Sequence, residues 1–259
     1  MIESSKRKLG YVLIILITLF ALFWFMSNES ISQDLSYHNF VDSRSVFNIS
    51  NFNNVISNVF FFLVGFSGLY KILCTEKFHL IKEIKVVYIM LFLGTIMIAF
   101  GSGYYHLQPG NMTLLWDRLP MSIVFMTLFS IVIGEFVSIN AGKRLFVPLL
   151  IAGIISVIYW YLTENQGEGD LRLYALVQFY PLIVIPVFLL CFKSRYTHVH
   201  AYWILFILYG ISKIFEYYDG IVFEYTGFIS GHTIKHILSA VALSVLLVSY
   251  EKRRIKGDG

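Results

Sequence analysis

Charged side chains are scarce in this chain: Asp, Glu, Lys and Arg make up 14% of its 259 residues, against roughly a quarter in water-soluble domains. Too few ionic groups remain to coat a water-facing surface, which excludes an ordinary soluble domain. Cysteine is nearly missing. Cys74 and Cys191 are far apart and form no CxxC pair, so there is no disulfide framework and both read as packing residues. Also missing are ten-residue stretches of alternating polarity, the mark of a membrane barrel. The first apolar run has no small-residue cleavage pattern and ends in Phe23, Trp24, Phe25 and Met26. It therefore reads as an uncleaved signal anchor.

What the chain has instead is hydrocarbon, with 57% hydrophobic residues and a mean hydropathy of +0.70. Apolar runs cover 9–26, 54–73, 84–107, 115–137, 144–163, 171–192, 201–217 and 231–250, each close to the about 20 residues a helix needs to cross a bilayer. Eight spans are expected. Lipid offers no partner to backbone groups, so the fold class is all-α, a polytopic transmembrane helix bundle with a seven-helix core plus one extra N-terminal helix. The organisation follows: 1–36 holds the N-terminus, anchor helix and outer loop, 37–250 the seven-helix core, and 251–259 a basic tail.

Cations set the orientation, because short loops rich in Lys and Arg stay cytoplasmic. Lys6, Arg7 and Lys8, then Lys71, Lys77, Lys82 and Lys85, then Lys143, Arg144, Lys193 and Arg195, then Lys252, Arg253, Arg254 and Lys256 all fall on one side. Only Arg44, Arg118, Arg172 and Lys235 fall on the other, with acids such as Asp34, Asp42, Glu164, Glu168 and Asp170. Both termini are expected in the cytoplasm and the chain in the plasma membrane. The net charge of +4 is accounted for by these loops, so no nucleic-acid partner is expected. Nothing in the sequence specifies an oligomeric state.

Ionisable groups at membrane depth are expensive and point to function. Three segments carry them at one depth: 101–106 ending the third span, 115–121 opening the fourth, and 231–236 opening the eighth. Residues four apart share a helix face, which stacks Ser102 on His106 and His232 on His236. An i, i+4 His pair is a zinc half-site, although a hydrogen-bonded structural pair or a pore lining would use the same spacing. His106 is the one further histidine at that depth, since His38, His79, His198 and His200 fall in connections. Asp117 on the next helix could orient a ligand histidine or activate a metal-bound water. Ser102, between Gly101 and Gly103, also suits close helix packing. Lys213 and Glu216, three apart, read as an ion pair on one face or as contacts to a substrate head group. Asp219 and Gly220 read as the start of a loop.

These residues, in this order, resemble the alkaline ceramidase family. The resemblance rests on Ser102 and His106, Asp117 eleven residues later, then Leu119, Pro120 and Met121, His232 and His236, and the segment Asn53, Asn54, Val55, Ile56, Ser57 and Asn58. It covers about residues 38 to 250, and the wider superfamily includes progestin and adipoQ receptors. The resemblance implies that His106, His232 and His236 bind Zn2+, that Asp117 handles the proton and that Ser102 assists at the substrate carbonyl. The implied activity is zinc-dependent amide hydrolysis of a ceramide-like or other N-acyl lipid drawn from the bilayer, with the active site toward the outer face. Arg118 stands where the family often has Glu, and Arg118, Tyr105, Lys213 and Glu216 are candidate substrate or supporting contacts. Calcium is not expected, because the stretch from Asp42 to Asn51 is poor in acids. A zinc-containing receptor on the same scaffold and a lipid esterase are the alternatives, while a transporter would call for an inverted repeat that the sequence does not show.

Overall fold

Long apolar runs must satisfy their own backbone in lipid, and the α-helix does so within one segment. A computed structural model describes residues 2–256, and among them every regular element is helical. In chain order these are α1 (Ile2–Ser27), a 3-10 turn at Leu35–His38, α2 (Phe52–Ile56), α3 (Val59–Cys74), a second 3-10 turn at Lys82–Ile84, α4 (Lys85–Leu107), α5 (Asn111–Phe136), α6 (Ile139–Asn165), α7 (Arg172–Cys191), α8 (His200–Tyr217), α9 (Asp219–Thr226) and α10 (Gly231–Lys252). Seven of the described helical segments are long and apolar enough to cross a membrane: α1, α2 with α3, α4, α5, α6, α7 and α10. The chain is an all-α, polytopic helix bundle.

Eight spans were expected and seven helices meet that standard; the remaining run, 201–217, forms helix α8, which carries His200, Lys213 and Glu216 and is not among the seven. It still runs antiparallel to α10 along the bundle. Ser249, late in α10, donates to the His198 carbonyl just ahead of α8 at 3.3 Å, and Lys235, early in α10, reaches Glu216 at the end of α8 at 2.6 Å. Helix α5 is the hub, buried along most of its length, whereas α1 lies almost unburied at the edge. The N-terminal helix leans on α7 through the Thr18 and Tyr180 hydroxyls, 2.7 Å apart.

Several boundaries and placements differ from expectation. The span expected at 54–73 is split into α2 and α3, with Ser57 and Asn58 between them. Helix α6 starts at Ile139, capped by Ser138, whose hydroxyl accepts from the Ala141 N–H at 3.1 Å; Lys143 and Arg144 therefore lie on a helix and not in a connection. Asp219 and Gly220 open α9 instead of a loop. Lys235 lies inside the bundle, where its ion pair with Glu216 offsets the cost of burial. Arg253 is no free tail cation: it is 1% exposed and pairs with the equally buried Glu135, a carboxylate that needs a counter-ion at that depth.

The segment between α1 and α2 folds over one end of the bundle. Asp42 ties it down, accepting from Arg44 Nε at 2.7 Å and from Asn53 Nδ2 at 2.9 Å, while Arg44 and Asn53 both donate to the Phe228 carbonyl before α10. Burial pushes the Asp42 carboxyl up, but the hydrogen bonds from Arg44 and Asn53 and the Arg44 charge outweigh it and hold the group below its ordinary value. A depressed folded value means stability that is present above the unfolded value and lost as pH falls through the folded one. Asp42→Asn is thus expected to melt lower than the parent near neutrality, the gap closing as pH drops from about 5 to about 3. Thermal melts in detergent across that range check this, and a gap independent of pH would contradict it.

Candidate metal centre

Two glycines let the helices of the site approach closely. A Cβ on Gly101 of α4 would lie 2.0 Å from the Trp116 carbonyl oxygen of α5, and one on Gly231 of α10 would lie 2.0 Å from the Phe215 carbonyl oxygen of α8. No other residue fits either crossing without moving backbone. The first crossing sets Ser102 beside Asp117. The second seats the start of α10, where Ser230 caps the helix and the Asp219 carboxylate accepts from the His232 N–H at 2.7 Å.

His106, His232 and His236 then converge. All three are buried, their ring centroids are each 4.9 Å from the other two, and one ligand nitrogen from each lies within 4.8 Å of the rest. The Nε2 atoms of His106 and His236 are 3.3 Å apart. Tetrahedral arms of zinc–imidazole length set two nitrogens about 3.3 Å apart, whereas an N–H···N bond would draw them nearer. His232 Nε2 is buried with no hydrogen-bond partner, a state that buried polar groups avoid unless something unseen binds them. The three residues could hold a metal ion, and both tests of fit favour one.

The surrounding groups fix the rings. Ser57, in the break between α2 and α3, pairs its hydroxyl with His236 Nδ1 at 2.8 Å; Asn51 Nδ2 donates to the His106 carbonyl at 2.8 Å. Thr233 donates to Asn54 Oδ1 at 2.7 Å, holding α10 against α2, and Phe40 packs on His106 and His232 with centroids 4.5 and 5.0 Å away. Sequence reasoning used the 53–58 segment only as a motif and missed Ser57 as the partner of a ligand histidine. A serine two or three residues into a helix looks like a packing residue, and only the tertiary fold brings it to His236. Ser57→Ala is expected to weaken metal affinity on the order of 10- to 100-fold. Titration with a competing chelator measures this, and an unchanged affinity would remove Ser57 from the centre.

The centre opens, through His236, into a cavity of about 380 Å³ that Ser102, Asp117 and Arg118 also line. Its remaining wall is largely apolar, with Phe61, Ile98, Val124 and Leu128 among the lining residues. Ser102 faces Asp117 across the contact between α4 and α5. No protein-family model, curated protein or solved structure matches this chain. The geometry alone therefore carries the reading of the site.

The other candidates divide. Lys213 and Glu216 form the expected ion pair, and Lys235 joins it from α10, so that two ammonium groups share one carboxylate beside the cavity. Arg118 makes no ion pair with Asp117 and stacks over Trp160, 4.2 Å from the ring centroid, and Tyr174, at 5.0 Å. Tyr105 does not line the cavity; it packs behind His106, its hydroxyl 2.9 Å from His38 Nδ1. His38 thus approaches the centre's outer layer without joining the triad, its other nitrogen 2.9 Å from Asn111 Oδ1.

Proposed function

We propose that this chain is a zinc-dependent intramembrane hydrolase that cleaves the amide bond of a ceramide-like or other N-acyl lipid. The observation that carries the reading is the buried three-histidine group at the end of an apolar cavity, with Asp117 and Ser102 on the cavity wall. Three neutral nitrogen donors suit zinc and leave a coordination position open, the arrangement of catalytic and not structural zinc sites. Zinc held there supplies a Lewis acid for a carbonyl oxygen and makes water nucleophilic near neutral pH.

The protein's own groups do the rest. An acyl chain lies along the apolar wall, which excludes bulk water and presents the carbonyl to the histidine end of the cavity. Asp117 accepts a proton from the attacking water and delivers it to the leaving nitrogen. Ser102 donates a hydrogen bond to the carbonyl oxygen as negative charge develops on it. Ser57 keeps the His236 ring from turning, and Asn51 holds the backbone of His106. The Lys- and Arg-rich loops at the other end support a cytoplasmic position for both termini and an outward-facing site, with the substrate entering from the outer leaflet.

The test is release of fatty acid by the purified full chain in detergent from an oleoyl ceramide, N-oleoyl amino lipids and oleoyl esters. Release from an amide, abolished by a chelator and restored by zinc, is the expected result. Release from esters alone would make the protein an esterase, and no release from any of them would overturn the hydrolase reading.

A further inference from the structure

Burial of a cation is tolerated when a carboxylate accompanies it. The structure follows this rule nearly everywhere: Arg253 pairs with Glu135, Arg172 with Asp170, and Lys213 and Lys235 with Glu216. Arg118 breaks it. It is 6% exposed, and among the described residues no carboxylate lies within 4.0 Å of its guanidinium. Nη2 donates to Gln33 Oε1 at 2.5 Å, while Nη1 is buried with no partner.

The guanidinium is also held in place. Trp160 and Tyr174 cover its face, and Tyr37 stands 5.8 Å away. Such stacking fixes the plane and leaves the edge to donate. Arg118 lines the same cavity as Asp117, Ser102 and His236. Around that cavity Arg118, Lys213 and Lys235 face Asp117 and Glu216, which leaves one positive charge unbalanced before any metal is counted.

We propose that Arg118 is the anchor for an acidic group on the substrate, so that the lipid is an N-acyl compound with a small anionic head, such as an N-acyl amino acid, and not a neutral ceramide. This rests on the hydrolase reading and narrows it. Asp117 serves the amide nitrogen and Arg118 lines the same cavity, so one small head group carries both that nitrogen and the acidic group. A carboxylate accepts from Nη1, giving the orphaned donor its partner and the cavity its missing negative charge.

The experiment compares N-oleoylglycine and N-oleoyltaurine with N-oleoylethanolamine and an oleoyl ceramide, using the zinc-loaded full chain in detergent, the parent against Arg118→Gln and Arg118→Lys. Hydrolysis is followed as kcat and KM, and binding separately through tryptophan fluorescence, with oleate and inorganic phosphate as controls for a bare carboxylate and a free anion. The parent is expected to favour the anionic amides in kcat/KM on the order of 10- to 100-fold. Arg118→Gln should erase the preference through KM, and Arg118→Lys should keep part of it. Equal handling of both classes by the parent, a comparison that needs no variant, would overturn the proposal. So would an Arg118→Gln loss that is the same for neutral and anionic amides. Selective binding of the anionic amides without turnover, lost in Arg118→Gln, would keep the anchor and discard the hydrolase; binding set by oleate or phosphate as strongly as by the anionic amides would discard the anchor.

Discussion

Asp117→Asn is expected to lower amide turnover on the order of 10³-fold while leaving the metal content unchanged. Asparagine keeps the size of the side chain and can still face Ser102, but it cannot accept and return a proton at neutral pH. Asp117 lines the cavity with Ser102 and His236 and is not one of the converging metal-binding groups, so losing its proton chemistry should not release the ion. The pair of readings separates roles: turnover falls with kcat, and metal per chain stays constant. Full turnover in Asp117→Asn would take the residue out of the mechanism, and loss of metal would make it part of the ion's binding site.

The second large effect is on stability, at the opposite end of the bundle. Arg253 donates to Glu135 Oε2 at 2.8 Å, to the His79 carbonyl at 2.7 Å and to the Tyr88 hydroxyl at 3.0 Å, and lies over Tyr196 and Tyr250 with centroids 4.0 and 4.5 Å away. Glu135 in turn accepts from Ser194 at 2.6 Å and Tyr202 at 2.9 Å. The cluster binds α4, α5 and α8 to the connections and to the end of α10. Arg253→Met strands a carboxylate that is 1% exposed, and breaking a buried pair this way costs about 3–5 kcal/mol. A fall of roughly 6–20 °C in melting temperature should follow. Adding Glu135→Gln should recover part of that loss, because no uncompensated charge remains. A double variant no more stable than Arg253→Met would show that the hydrogen bonds, and not the stranded charge, set the cost.

Much of the bundle was legible in sequence because lipid imposes a simple rule: a run of about 20 apolar residues must be helical. The i, i+4 spacing of His232 and His236 gave their common face, and shared depth gave His106. What the sequence did not reveal depends on side-chain direction and on contacts distant in the chain. Arg118 read only as a candidate substrate or supporting contact, because sequence does not show that its guanidinium stacks on Trp160, 42 residues further along the chain. Lys235 looked like a surface cation because only the fold brings Glu216 to it across 19 residues. Arg253 looked like tail charge for the same reason, its partner Glu135 being 118 residues away. Ser57 was hidden by a helix break that no proline or glycine announces.

The central claim is that three histidines from two helices, α4 and α10, converge to hold one metal ion, and elemental analysis of the purified chain tests it most directly. The parent should carry zinc near one equivalent per chain, and His232→Ala, which removes a buried nitrogen with no protein partner, should carry little under the same wash. A metal-free parent, or a His232→Ala variant that keeps its full zinc, would contradict the account.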